Sequence, residues 1–109
     1  TAKSGQSGVH HVNGRTIDLE NLERRHGGET IRLTLMEARL LGYLIEHAGT
    51  SVSRKRILED VWQLNVDTDT RAIDNFIVRL RRHLEDDPAR PQILQTVRGV
   101  GYRFVRASA

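Results

Sequence analysis

A chain of 109 residues suits one domain with a core of its own; having no cysteine it can form neither a disulfide framework nor a thiolate metal site, and apolar runs such as Leu40-Leu41 and Tyr43-Leu44-Ile45 are far too short to span a bilayer. The net charge of +3 decides little, but its distribution says more: residues 1–53 carry six basic and six acidic side chains, whereas residues 71–106 carry eight arginines against Asp74, Glu85, Asp86 and Asp87. Arginine outnumbers lysine fifteen to two, and its planar guanidinium suits bidentate contact with phosphates and base edges, so the C-terminal half points towards nucleic acid.

Residues 1–8, beginning TAKSGQSG, lack the apolar h-region of a signal peptide and read as a flexible linker or a tag remnant ahead of a domain spanning residues 9–109. Val9–Val12, Arg15–Leu19, Leu22–His26 and Thr30–Leu33 then read as short strands. Asn13-Gly14 and Gly27-Gly28 between them are hairpin signals, which predicts a small antiparallel sheet.

A helix follows. Thr34-Leu35-Met36-Glu37 fits a capping box, which makes Glu37 a cap rather than a catalytic acid. Leu35, Ala38, Leu41, Leu44 and Ile45 recur at helical spacing, and Gly49 is the expected C-cap. Ser53 caps a second helix from Arg54 to about Gln63, with Ile57, Leu58, Val61 and Trp62 apolar; Leu64–Asp69 lacks periodicity and reads as a loop.

The third helix is expected from about Thr70 to Glu85. At about 100° per residue, Ile77, Leu80 and Leu84 fall within about 40° of Ile73, and Phe76 lies about 60° away. That stripe is core. The opposite side holds Arg71, Asn75, Val78 and Arg82, flanked by Arg79 and Asp74. Pro88 and Pro91 end the helix and lead into a hairpin, Ile93–Val105. Within it, "TVRGVGYRF" (residues 96–104) sets Arg98 beside a Gly99-Val100-Gly101 turn. Arg98 is either a solvated turn residue or the probe of a finger that touches something negative. Two helices joined by a six-residue loop and followed by a hairpin form a helix-turn-helix with a wing. The outer face of the third helix carries arginine for guanine, asparagine for adenine and valine for a thymine methyl.

Residues 30–105 resemble the effector domain of OmpR/PhoB-type response regulators. The matching pieces are "LTLMEARLLGYLIEHAGTSVSR", "ILEDVW", "RAIDNFIVRLRRHLEDDP" and "TVRGVGYRF", in the family's order and spacing. The resemblance implies an α+β winged helix-turn-helix: a four-stranded antiparallel sheet, a helix, a short strand near Val52, two helices and a C-terminal wing. It implies sequence-specific binding of double-stranded DNA and transcription regulation, with no catalysis and no cofactor or metal. Arg71, Ala72, Asn75, Val78, Arg79, Arg81 and Arg82 would form the recognition surface, with Arg81 on phosphate near the helix end. Arg54, Trp62 through its indole N–H, and Thr96 would contact phosphates, and Arg98 the minor groove. Gln63, Leu64, Asn65, Val66, Asp67, Thr68 and Asp69 would form the loop that meets RNA polymerase. The family's full protein carries a receiver domain, absent here, that a cognate histidine kinase phosphorylates. Phosphorylation there promotes head-to-tail dimers on direct repeats, in the bacterial cytoplasm. The chain departs from common members at Val78, Phe76 and Ala72, where arginine, histidine and threonine are frequent.

The residues offer little to an enzyme. Adjacent His10 and His11 would point to opposite faces of a strand, and no metal-ligand spacing joins His26, His47 and His83. Asp67-x-Asp69 begins like a calcium loop, but Ala72 stands where its glycine belongs. Gly99-Val100-Gly101 lacks the following helix of a nucleotide fingerprint. The alternative to DNA binding is a winged-helix protein-interaction module, for which Val78 and Phe76 supply apolar groups near the outer face.

Overall fold

The computed structural model describes residues 8–62 and 71–105. Four short strands open the chain: β1 (Val9–Val12), β2 (Arg15–Asp18), β3 (Glu23–His26) and β4 (Glu29–Arg32). They pair antiparallel in chain order. Both predicted hairpins form, with Val12 opposite Arg15 and His26 opposite Glu29. Their turn residues take the left-handed backbone that two-residue hairpins need: Asn13 at φ 50° and Gly14 at 77°, Gly27 at 59° and Gly28 at 81°.

The strand ends differ from expectation by local polar chemistry. β2 stops at Asp18, not Leu19, because the Asp18 carboxylate accepts the backbone N–H groups of Glu20 (3.1 Å) and Asn21 (3.0 Å) and the Asn21 amide (2.8 Å). This Asx-type turn competes with strand geometry, and the Asn21 bonds hold the carboxyl below its ordinary value. Leu22 sits at φ 58° and so lies outside β3.

Helix α1 (Leu35–Glu46) begins with both halves of the expected capping box. Glu37 N–H donates to Thr34 Oγ1 (3.1 Å), and Thr34 N–H donates to Glu37 Oε1 (2.9 Å). Its C-cap is His47 rather than Gly49. Gly49, at φ 87°, instead turns the chain, and its N–H donates to Phe104 O at 2.9 Å.

Strand β5 (Ser51–Ser53) leads directly into α2 (Arg54–Ile57), capped by Ser53 Oγ. The helix does not stay regular: Leu58–Trp62 is a π-helical turn. Apolar positions 57, 58, 61 and 62 lie on one side of either an α or a wider i→i+5 turn, so the sequence pattern does not separate them. Gln63, and all of the loop to Thr70, lies outside the described residues.

Helix α3 (Arg71–Leu84) buries Ile73, Ile77, Leu80 and Leu84, the predicted stripe. Strands β6 (Leu94–Val97) and β7 (Gly101–Phe104) close the chain as the expected hairpin, and β5 pairs with β7 to give a second sheet of order β5-β7-β6. Phe104, Leu94, Val52 and the buried faces of α1, α2 and α3 meet in one core.

The first sheet also grips the end of α3. Asn13 Nδ2 donates to Leu84 O (2.9 Å), and the buried Arg15 donates to Glu85 O (3.3 Å) and Asp86 Oδ1 (2.9 Å). These donors meet the carbonyls that every helix C-terminus leaves unpaired.

His83, on α3, lies largely buried between α1 and β3, with Nε2 3.7 Å from Glu37 Oε1 and Nδ1 without a partner. Burial lowers its pKa below the ordinary 6.5; Glu37 opposes that shift and Arg24 of β3 adds to it. The folded state therefore resists protonation that the unfolded chain accepts. The stability this confers is complete above about pH 6.5 and is lost as pH falls towards the lower folded value. The urea midpoint of the wild type should drop as pH is lowered from about 6.5, and less steeply in His83→Gln. Parallel pH profiles would refute this account.

Candidate nucleic-acid interface

The amphipathic periodicity of α3 decides what faces solvent. With Ile73, Ile77, Leu80 and Leu84 fully buried, Arg71, Ala72, Asn75, Val78, Arg79 and Arg82 are exposed along the opposite side. Val78 keeps 47% of its surface open. The exposed stripe thus presents guanidinium donors, one carboxamide and one branched methyl pair.

Arg81 differs. It is half-buried, its Nε donates to Leu94 O (3.0 Å), and a terminal nitrogen donates to Thr96 Oγ1 (2.9 Å). It ties α3 to β6 and joins Arg81 and Thr96, two side chains expected to contact phosphate, in one hydrogen-bonded pair beside the wing.

The N-terminal half of α3 has its own tie. Asp74 Oδ1 accepts from Arg54 Nε (2.8 Å) and from Tyr102 O–H (2.6 Å), which joins α2, α3 and β7. The bond to Asp74 raises the pKa of Arg54, and burial raises that of Tyr102. The Arg54 guanidinium also lies over the Tyr102 ring, 5.4 Å from its centroid. Arg54 therefore stands at the foot of α3 in a fixed pose. Trp62 is half-buried, and its ring meets Phe76 edge-on with centroids 5.3 Å apart.

The wing tip is open. Arg98 and Val100 are exposed in the turn between β6 and β7, and Gly99 takes φ 78°. Gly101, the first residue of β7, takes φ 158°, a positive backbone angle that L side chains rarely adopt. A Cβ there would also overlap Val52 O, so its backbone angle and the close approach of β5 both demand glycine.

The fold joins Arg54 to α3 through Asp74 and Arg81 to Thr96, and it leaves Arg71, Ala72, Asn75, Val78, Arg79, Arg82 and Arg98 exposed. Gln63, Leu64, Asn65, Val66, Asp67, Thr68 and Asp69 lie outside the described residues. Sequence reasoning missed the framework: Asp74, Tyr102 and Glu85. Asp74 did leave a signal, as the one carboxylate among the arginines between Arg71 and His83. Among the described residues, no group of three or more His, Asp or Glu is arranged to hold a metal ion, and no helix is long and apolar enough to cross a membrane.

Residues 28–104 match the family described as transcriptional regulatory protein, C terminal. The chain belongs to this family. It is 43% identical over 102 residues to the probable transcriptional regulator ycf27 of Galdieria sulphuraria, covering 92% of this chain and 40% of that protein. Among solved structures it is similar to the response regulator DrrB, a Thermotoga maritima OmpR/PhoB homologue, with TM-score 0.76 and 35% identity over 90% of this chain and 44% of that one. It is also similar to the Klebsiella pneumoniae RstA DNA-binding domain in complex with the RstA box, with TM-score 0.75, 32% identity and coverage of 89% of this chain and 96% of that one. The chain spans about two fifths of the length of the curated relatives it matches. It is thus an OmpR/PhoB-type DNA-binding domain, in a family of transcription regulators rather than enzymes, and its four-stranded sheet, helices and terminal hairpin are those of that winged-helix fold.

Proposed function

We propose that residues 9–109 are the output domain of a two-component response regulator and read double-stranded DNA with α3 in the major groove and the wing in the adjacent minor groove. The observation that carries this reading is the exposed stripe Arg71–Asn75–Val78–Arg79–Arg82, held in fixed relation to an exposed Arg98 by Asp74 and Arg81. Asn75 would pair with adenine, and Val78 would meet a thymine methyl. Arg54, Trp62, Thr96 and Arg81 would anchor phosphates, which position but do not specify. A narrow minor groove, with its enhanced negative potential, favours Arg98.

In the whole protein, a receiver domain phosphorylated by a histidine kinase would promote head-to-tail pairs of this domain on direct repeats. Residues 63–69 would meet RNA polymerase. The setting is the compartment that holds the DNA, in a bacterium the cytoplasm.

Selection of bound sites from random duplexes should return an A·T-containing core. With about five phosphates neutralised, log K against log salt should fall with a slope of roughly −4 to −5. On the selected duplex, Arg98→Ala and Asn75→Ala should each cost about 1–3 kcal/mol; on a scrambled duplex the Asn75 substitution should cost much less. Affinity indifferent to salt would favour a protein-interaction role instead. Equal weakening of both duplexes by Asn75→Ala would mean that the helix enters the groove rotated from this placement.

A further inference from the structure

We infer that Phe76 is a positioning residue for Arg79, holding its guanidinium as a pre-oriented reader of one base pair; this rests on the DNA-reading role proposed above. The Arg79 Cζ lies 4.9 Å from the centroid of the Phe76 ring, one turn back on α3. The ring itself is braced: it is half-buried against the core, and Trp62 of the π-helical turn meets it edge-on, the two planes inclined by 65°. Arg79, by contrast, is exposed. A fixed aromatic face therefore supports a mobile class of side chain at the border of the outer stripe.

The geometry has a chemical consequence. A guanidinium resting flat on the ring keeps its in-plane N–H donors clear of it, so in that pose the donor fork is free to point outwards. A guanine edge in the major groove, with O6 and N7 side by side, is the ligand that such a fork takes. An exposed arginine loses rotamer freedom when it binds, and a ring that already restricts it lowers that ordering cost. Phe76 would thus act on affinity for one base pair through Arg79, without touching DNA itself. Arg54 and Arg81 also lie over a ring, that of Tyr102, but their donors are bonded to Asp74, Leu94 and Thr96 within the domain.

The test is a set of variants of this chain measured on the selected duplex and on a scrambled one at fixed salt. Phe76→Leu should weaken the selected duplex roughly two- to fivefold and leave the scrambled one nearly unchanged. Phe76→Met, which keeps the bulk without the ring, should behave the same, and Phe76→Tyr should bind like the wild type. Added to Arg79→Ala, Phe76→Leu should have no further effect. Equal weakening of both duplexes, or an effect that persists in the Arg79→Ala background, would make Phe76 a packing residue only and overturn the proposal. So would unchanged binding by both Phe76→Leu and Phe76→Met. A wild-type chain that does not distinguish the two duplexes would instead remove the base-reading role of α3, and this proposal with it.

Discussion

Gly101→Ala is expected to lower stability by about 3 kcal/mol or more, while Gly99→Ala, two residues away, costs only about 1–2 kcal/mol. The two glycines do different work. Gly99 takes φ 78°, a left-handed conformation that an L side chain adopts at a cost, but nothing lies within 4 Å of the Cβ it would carry. Gly101 takes φ 158°, likewise unfavourable to an L side chain, and in addition its Cβ would overlap Val52 O and sit 2.9 Å from Ser53 Cα. Those atoms are backbone of β5, held to β7 by the pairs Val52↔Tyr102 and Ser53↔Gly101. No rotamer change relieves the overlap; the strands must part. Because β7 also carries Tyr102 against Asp74 and Phe104 in the core, parting them disturbs the wing and the frame of α3 together. Gly101→Val should be worse still. Urea unfolding of the two alanine variants checks the ranking: if Gly101→Ala is no more costly than Gly99→Ala, the close approach of β5 does not constrain this position. DNA affinity should follow the same order, with Gly99→Ala keeping most of its binding.

The parts of the fold that were legible in the sequence are those governed by short-range rules. Asn13-Gly14, Gly27-Gly28, the Thr34–Glu37 capping box and the Ile73–Leu84 stripe each depend on a few neighbouring residues, and each forms where expected. The exposed side of α3, proposed above as the reading face, followed from the same periodicity, since burying one side of the helix fixes the other. What sequence could not give is the set of long-range polar ties. Asp74 is separated from Tyr102 by 28 residues and Arg15 from Asp86 by 71, and no local pattern marks such partners. Half the role of Gly101 was hidden for the same reason: its positive φ belongs to its own backbone, but the clash a Cβ would meet comes from β5. The π-helical turn at Leu58–Trp62 escaped because its apolar spacing suits either winding. Arg81 was placed by resemblance among the phosphate contacts, and its bonds to Leu94 and Thr96 add a structural duty that its charge did not announce.

Glu85 should prove the most consequential carboxylate of the chain, although it was expected only to close a helix. It is 4% exposed and lies one residue beyond α3. Its Oε1 accepts from the backbone N–H groups of Gln92 (2.8 Å) and Ile93 (3.1 Å), and its Oε2 from those of Ile93 (2.9 Å) and Leu94 (2.7 Å). One side chain thus satisfies three consecutive donors at the entrance to the wing. Hydrogen bonds to a charged acceptor are among the stronger ones, and a buried donor left unpaired costs about 1–3 kcal/mol. Glu85→Ala removes every acceptor at once and should destabilise the domain by about 3–5 kcal/mol, which is large against the total for a domain of this size. Glu85→Gln keeps one oxygen but turns an amide donor towards the remaining N–H groups, so it should recover only part of that loss. Denaturant unfolding reads both values, and a Glu85→Ala cost below about 1 kcal/mol would show that water replaces the carboxylate without penalty. Binding provides the second measurement. Because Glu85 fixes where β6 leaves α3, its loss should let the wing move relative to the reading helix. Arg98→Ala should then cost less in a Glu85→Gln background than in the wild type, under conditions where both remain folded. Equal costs would mean that the wing keeps its position without this anchor, and that Arg81 and Asp74 alone set the distance between the two grooves' contacts.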